Sequence, residues 1–246
     1  MAVSDVQVRC RGRLDRTWVN QAGQSLLSSW AVALPTPLTT GSRSGWLPMI
    51  SGLAVIDGLE DVLAYHGCRP LDADRTRTGS DLALKWPNDI FCGGCKLAGI
   101  LCELVTVDQE WSAVIIGVGM NLFLPEDHLP TDLATSLHLR YGQLPEYGML
   151  RDDLVDAISW YLSLYLNDLV DRADPALDDL RSRIGGMSWT VGRQVEVRPV
   201  AGDPVRGKAL AINPDASLKV ELEDGSSITV TTGDVGVLPD VSSGTR

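Results

Sequence analysis

Three short segments concentrate the residue types able to do chemistry in this chain. The first runs Gln7-Val-Arg-Cys-Arg-Gly-Arg-Leu-Asp-Arg-Thr-Trp18 and sets Arg9, Arg11, Arg13 and Arg16 around Gly12. Guanidinium groups grip carboxylates and phosphates through paired hydrogen bonds, and a glycine among them lets the backbone approach a ligand. Trp18 adds a flat surface able to stack on an apolar ligand or wall it off. A solvated basic loop and an RNA-binding arginine cluster also fit these residues taken alone. The second segment is Lys85-Trp-Pro-Asn-Asp-Ile90. Pro87 pushes Trp86 toward an extended conformation, which interrupts a strand there and leaves Asn88 and Asp89 to follow; an Asx-type turn beside a buried tryptophan is the plainer reading. The third, Lys96-Leu-Ala-Gly-Ile-Leu101, sets one lysine at the mouth of an apolar strand. Such a lysine is a solvated strand end unless an anion site faces it.

The surrounding sequence must position these groups. Val6–Val8 reads as the end of a strand, and Ser25–Leu34 as a buried strand between Gly23 and Pro35. Residues 47–66 read as a helix, with Pro48 in its first turn, Gly67 just past its end, and Asp57, Glu60 and Asp61 on one face. A polar loop at 69–80 precedes strand-like runs at Leu82–Cys92 and Leu97–Val107, joined through Gly93-Gly94, and a third at Ser112–Leu122. Helical spacing returns over 152–170, and Pro175 opens a shorter helix ending near Gly185. The C-terminal part alternates instead: Leu218, Val220 and Leu222, a turn at Asp224-Gly225, then Ile228 and Val230. With Val195, Val197 and residues 207–212 this predicts a small β-barrel of about five strands, its boundary near Ile184.

Composition narrows the classes. At 246 residues, 44% hydrophobic and 22% charged, the chain suits one sizeable core and a small second domain. A net charge of −11 argues against a nucleic-acid partner. The four arginines before Trp18 face only Asp5 and Asp15, so this acidic chain carries one compact basic cluster, as a site for a small anion would. Apolar runs are too short to span a membrane and no leader opens the chain, so a cytoplasmic location is expected. Five cysteines give no disulfide framework, and although Cys102 could add a third ligand to Cys92-Gly-Gly-Cys95, the histidines His66, His128 and His138 are scattered, so the segment reads as a tight turn.

Taken in order, the arginine–glycine loop, Lys85–Ile90 and Lys96–Leu101 resemble the motifs of the biotin–protein ligase family. Gly117-Val-Gly-Met-Asn121, Ala134-Thr-Ser-Leu137 and Gly233-Asp-Val235 resemble three later family segments. The resemblance runs from Val6 to Leu238. It implies an α+β fold: a mixed-sheet catalytic domain of the class II synthetase-like biotin/lipoate ligase type over 1–183, an SH3-like β-barrel over 184–240, and a tail at 241–246. It also implies ATP-dependent adenylation of biotin and transfer of the biotinyl group to a lysine of a biotin carboxyl carrier domain, with Mg²⁺ assisting. Lys96, Arg13 and Arg11 then fall on catalytic positions. Gln7, Gly12, Gly99 and Asn121 join them in holding biotin and the adenylate, Trp18 closes over the intermediate, and Asp89 stands at a metal position. A homodimer is compatible with the resemblance.

The sequence also departs from the family. Cys10 and Asp15 replace usual glycines, which puts loop closure in question. A strand–helix unit with a Ser-Thr-Asn motif normally precedes the arginine loop, whereas five residues precede Val6 here. A natural product beginning further upstream, weak biotin binding or poor folding of this form, and no repressor activity are the corresponding expectations. A lipoate–protein ligase and a non-catalytic biotin binder are the competing readings.

Overall fold

The computed structural model describes residues 1–7, 12, 18, 20–71, 81–199 and 203–238. Six strands form the main sheet: β1 (Ala2–Ser4), β2 (Ser25–Pro35), β4 (Leu82–Lys85), β5 (Asp89–Cys92), β6 (Cys95–Thr106) and β7 (Trp111–Asn121), in the order β1-β2-β7-β6-β5-β4. All five pairings are antiparallel. Parallel pairing among the described residues is confined to two isolated bridges, Leu84 with Ser188 and Lys96 with Ala134. A short pair, β3 (Arg69–Pro70) and β8 (Tyr141–Gly142), lies apart from this sheet.

The helices are α1 (Thr36–Thr39), α2 (Leu47–Tyr65), α3 (Tyr147–Arg172) and α4 (Asp174–Gly186). Helix α2 is apolar on nearly all sides, and its buried residues run from Leu47 to Leu63. That all-round character suits a helix enclosed between a sheet and another helix. Gly67 ends it with φ +66, and the Cys68 amide donates back to the Leu63 carbonyl at 2.9 Å. Gly58 lets α3 approach closely, because a Cβ there would stand 3.1 Å from the Ile158 nitrogen. Asp57, predicted on a polar face, is buried instead and accepts both Arg183 Nη2 contacts at 3.0 Å and the Tyr165 hydroxyl. This satisfies a buried carboxylate and ties α2, α3 and α4 together.

Residues 194–237 form a second, five-stranded antiparallel sheet: β9 (Gln194–Pro199), β10 (Val205–Ile212), β11 (Leu218–Leu222), β12 (Ser227–Val230) and β13 (Gly233–Val237), ordered β12-β11-β10-β9-β13. Two indoles dock it onto the main body. Trp86 Nε1 donates to the Ala216 carbonyl at 2.8 Å, and Trp46 Nε1 to that of Pro214 at 2.9 Å.

Two boundaries differ from expectation. The first strand ends at Ser4, before Val6, because the Ser4 hydroxyl donates to the Val6 carbonyl at 2.7 Å and turns the chain. The interruption expected at Pro87 is present: the strand-like run over 82–92 is divided into β4 and β5 at Trp86–Asn88. Helix α3 begins at Tyr147, five residues before the predicted start.

Candidate functional site

The β5–β6 hairpin turns at Gly93 and Gly94, with φ +56 and +83, where glycine alone is unstrained. Its register is regular at Asp89–Gly99 and Ile90–Ala98, then slips, so that Phe91 faces Lys96 and Leu97 is the extra residue. A bulge of this kind breaks the two-residue alternation of side chains. Lys96 and Gly99, three residues apart, therefore share one face: a Cβ on Gly99 would stand 3.5 Å from Lys96 Nζ.

Asp89 is paired in register with both Gly99 on β6 and Lys85 on β4. Its two carboxylate oxygens meet two ammonium groups: Oδ1 lies 2.6 Å from Lys96 Nζ, and Oδ2 lies 3.3 Å from Lys85 Nζ. Lys85 is 8% exposed and Asp89 9%. Lys85 Nζ also sits 5.6 Å from the Phe91 ring centroid, and Lys96 Nζ 5.6 Å from that of Trp18. A buried lysine needs this partner, since an unpaired buried charge is far costlier than a paired one. The group as a whole carries one positive charge more than it neutralises. It therefore presents net positive charge to the adjoining space.

That space is a cavity of about 630 Å³ on the sheet face. Gln7, Gly12, Trp18, Lys85, Asp89, Lys96, Gly99, Gly117 and Gly119 all line it. The volume falls in the usual range of small-molecule sites. Gly233 and Asp234 of β13 also reach it, so the second sheet contributes to the wall. Pro87 and Asn88 do too, on a turn that is firmly held. Asn88 Nδ2 donates to the Ile100 carbonyl at 2.7 Å, and the Ile100 amide donates to the Asn88 carbonyl at 2.9 Å. At the cavity mouth Gln7 is clasped by Asn20: the Gln7 amide donates to Asn20 Oδ1 at 3.2 Å, and Asn20 Nδ2 to the Gln7 carbonyl at 3.0 Å. The two ends of the arginine loop are thereby tied together.

The structure thus brings together Gln7, Gly12, Trp18, Asp89, Lys96 and Gly99. Arg11 and Arg13 lie outside the described residues, as do Cys10 and Asp15. Asn121 is not among the lining residues; it is 3% exposed, and its amide donates to the Thr135 carbonyl at 2.9 Å. Its amide holds the segment after β7. Asp89, expected at a metal position, has both oxygens committed to lysines, and no group of three or more metal-ligating side chains occurs among the described residues. Sequence reasoning gave no role to Lys85, Gly117 or Gly119. The signal was there for the glycines, whose two-residue spacing puts both on one face of a strand.

The Biotin/lipoate A/B protein ligase family matches residues 1–121. The bifunctional ligase/repressor BirA of Bacillus spizizenii is 26% identical over 228 residues, covering 92% of this chain and 62% of that protein. The chain thus spans under two thirds of the length of this relative. The biotin–[acetyl-CoA-carboxylase] ligase of Mycobacterium tuberculosis is 29% identical over 235 residues, covering 95% of this chain and 77% of that one. Among solved structures, the biotin protein ligase of Aquifex aeolicus in complex with biotin and ATP superposes with a TM-score of 0.69 at 22% identity, covering 97% of this chain and 88% of that one. With the motifs, the fold and these relatives in agreement, residues 1–121 belong to the biotin/lipoate A/B protein ligase family, and the two relatives similar over more than nine tenths of the chain are a bifunctional ligase/repressor and a biotin–[acetyl-CoA-carboxylase] ligase.

Proposed function

We propose that this chain adenylates biotin with ATP and passes the biotinyl group to a lysine of a biotin carboxyl carrier domain, acting in the cytoplasm. The observation that carries the reading is the Lys85–Asp89–Lys96 group at the wall of a glycine-floored cavity. Adenylation brings a carboxylate up to a triphosphate, and two anions meet only where positive charge is fixed in advance. The biotin carboxylate oxygen attacks the α-phosphorus, and the bond to pyrophosphate breaks. Lys96 is the cation best placed to stabilise the charge gathering on the phosphoryl oxygens. Lys85, held behind Asp89, keeps that carboxylate from fully cancelling Lys96. Arg11 and Arg13, on the loop tied at Gln7 and Asn20, supply the further charge in this reading.

The product is a mixed anhydride, which water hydrolyses unless it is covered. The carrier lysine then attacks the acyl carbon, an amide forms, and AMP leaves with the bond electrons. Magnesium held by Asp89 does not fit a carboxylate shared by two lysines, and the proposed chemistry runs through the cations alone. We read the sheet over 194–237 as an SH3-like domain that begins near Ile184 and closes one side of the cavity through Gly233 and Asp234. The net charge of −11 disfavours nucleic acid as a partner, and the compact arginine cluster before Trp18 supports a small anion.

Biotin-dependent ATP–pyrophosphate exchange tests the first step, and transfer of labelled biotin to a carrier domain tests the second. Exchange with biotin and none with lipoate is the expected result. Exchange with lipoate alone would move the substrate to the other branch of the family. Biotin binding without exchange would make the chain a non-catalytic binder.

A further inference from the structure

Cys92 and Cys95 flank the two-glycine turn of the β5–β6 hairpin and are partners in its register. Directly opposed residues of antiparallel strands put their side chains on one face, so the two sulfurs share a face. Their Cα atoms then stand about 4.5–5.5 Å apart, within the span of a disulfide. Both are free thiols in different settings: Cys92 is 1% exposed, while Cys95 is half-buried. The hairpin tip also has a cation beside it. A Cβ on Gly93 would stand 3.0 Å from Arg140 Nη1, and Arg140 is held in place by its Nε, which donates to Thr135 Oγ1 at 2.9 Å. A fixed guanidinium beside a thiol favours the thiolate, the form that reacts. Among the described residues no group of three or more metal-ligating side chains occurs, so a metal site there does not account for the pair.

We infer that Cys92 and Cys95 are a dithiol that peroxide closes to a disulfide, and that closure slows adenylation by displacing Lys96. Cys95, the more exposed thiol, reacts first. Its thiolate attacks one peroxide oxygen, the O–O bond breaks, and the departing hydroxide takes up the proton that the thiol gave up. Water leaves, and Cys95 is a sulfenic acid. The Cys92 sulfur then attacks the Cys95 sulfur: the S–S bond forms, the S–O bond breaks, and hydroxide departs with the Cys92 proton as a second water. Two electrons pass from the sulfurs to the peroxide. Burial pushes the Cys92 thiol up, which suits it to the second, intramolecular step and not to the first.

The bond closes a loop that holds only Gly93 and Gly94 between its ends, and a disulfide constrains the unfolded chain least where the loop is short. Its effect is therefore local. Opposed Cβ atoms stand about 4.5–5.5 Å apart on paired strands and about 3.8 Å apart in a disulfide, so closure pinches the hairpin tip. Lys96 follows Cys95 directly, and its Nζ lies 2.6 Å from Asp89 Oδ1. A misplacement of about 1 Å in a group that positions charge is enough to slow a reaction severalfold or more. The effect on rate rests on the adenylation reading; the bond itself does not.

The test uses the full chain and hydrogen peroxide. Trypsin frees Trp86–Lys96 as one peptide that holds both cysteines and no other. After peroxide treatment at neutral pH, iodoacetamide blocks the remaining thiols and the peptide is weighed. The two alkyl groups of the untreated chain should give way to none, with two hydrogens lost, and dithiothreitol should restore both. Biotin-dependent pyrophosphate exchange should fall about tenfold with the bond closed and recover on reduction. Cys95→Ser should exchange as the parent does and not respond to the same peroxide dose. An alkylated Cys92 beside a Cys95 that has gained oxygens would overturn the pairing, as would a doubly alkylated peptide from a chain whose other cysteines have been oxidised. Unchanged exchange in a chain whose peptide shows the bond would overturn the displacement of Lys96. Should Cys95→Ser fail to fold, the peptide map and the recovery by dithiothreitol decide the matter on the parent alone. If the reduced parent shows no exchange at all, the adenylation reading falls, and the peptide map still decides the disulfide.

Discussion

Lys96 Nζ stands 2.6 Å from Asp89 Oδ1, and the contact is set by backbone register. The slip between Ile90 and Phe91 turns Lys96 onto the face that Asp89 and Gly99 already share. One carboxylate is thereby made to hold two lysines, the second of which is nearly sealed from solvent. The two partners of this contact should fail in different ways.

Lys96→Ala removes a partly exposed cation and leaves Asp89 paired with Lys85, so the fold should survive. Exchange of pyrophosphate should fall by about 10²–10³-fold, the usual loss when a preorganised charge is taken from a transition state. Asp89→Asn instead strands the buried Lys85 ammonium, and should lower stability by about 3 kcal/mol. Denaturant unfolding and exchange measured on both variants check the pair. A stable Asp89→Asn, or an unstable but active Lys96→Ala, would contradict the assignment.

Burial of Cys92 should show as a loss of stability at alkaline pH. Burial pushes its thiol up to about 12, against an ordinary value near 9. The folded state thus resists ionisation that the unfolded state accepts. The stabilisation is complete below pH of about 8.5 and is lost as pH rises from about 9 toward 12. Cys92→Ala removes this contribution, so its stability should decline less steeply than the parent's by about 2 kcal/mol at pH 11. Any packing loss in the variant is constant with pH and drops out of the slope. Parallel curves for parent and variant would show that the thiol titrates normally.

Much of the site was legible because its residues announce themselves by type. A lysine at the mouth of an apolar strand, a glycine within it and an aspartate after Pro87 are unusual enough to mark a place, and the fold brings Asp89, Lys96 and Gly99 to one wall. What stayed hidden depends on partners far away in sequence. The Asn121 amide donates to the Thr135 carbonyl, in a loop that periodicity does not describe. Asp57 matched a solvated face of α2, and only the arrival of Arg183 and Tyr165 lets it be buried. The slip that orients Lys96 has no signature of its own, since Leu97 is as apolar as its neighbours. The start of α3 was missed because Gly148, a poor helix former, sits in its first turn.

Gly207 should tolerate no side chain. It lies on β10 opposite Leu222, and a Cβ there would stand 2.2 Å from the Glu221 carbonyl oxygen and 2.8 Å from Val220 Cγ1. The first of these is backbone in a paired strand and cannot swing aside. Gly207→Ala should therefore cost about 2 kcal/mol or more through overpacking. Amide exchange over β10 and β11 should speed up, with α2 and α3 unchanged. Uniform protection across the chain would mean that the two strands shift together without strain.

Trp86 should prove to be the tie between the two sheets. Its ring is 2% exposed, its backbone N–H donates to Thr190 Oγ1 at 2.9 Å, and its indole N–H donates to the Ala216 carbonyl at 2.8 Å. Ala216 itself has φ +67, a conformation that a residue with a Cβ rarely adopts, so the turn carrying this carbonyl is held there against its preference. Trp86→Phe keeps the backbone bond and most of the apolar contact but leaves the carbonyl without its donor. The expected loss is about 1–3 kcal/mol. Because Asn88 and Pro87 stand on the same turn and line the cavity, the second sheet should loosen first and KM for ATP should rise before kcat changes. Limited proteolysis gives the sharper reading: cleavage between residues 187 and 194 should quicken in Trp86→Phe. A variant that loses stability with no change in cleavage there would show that Trp86 only fills the core, with Trp46 and Arg181, both bonded to the Pro214 carbonyl, keeping the second sheet in place.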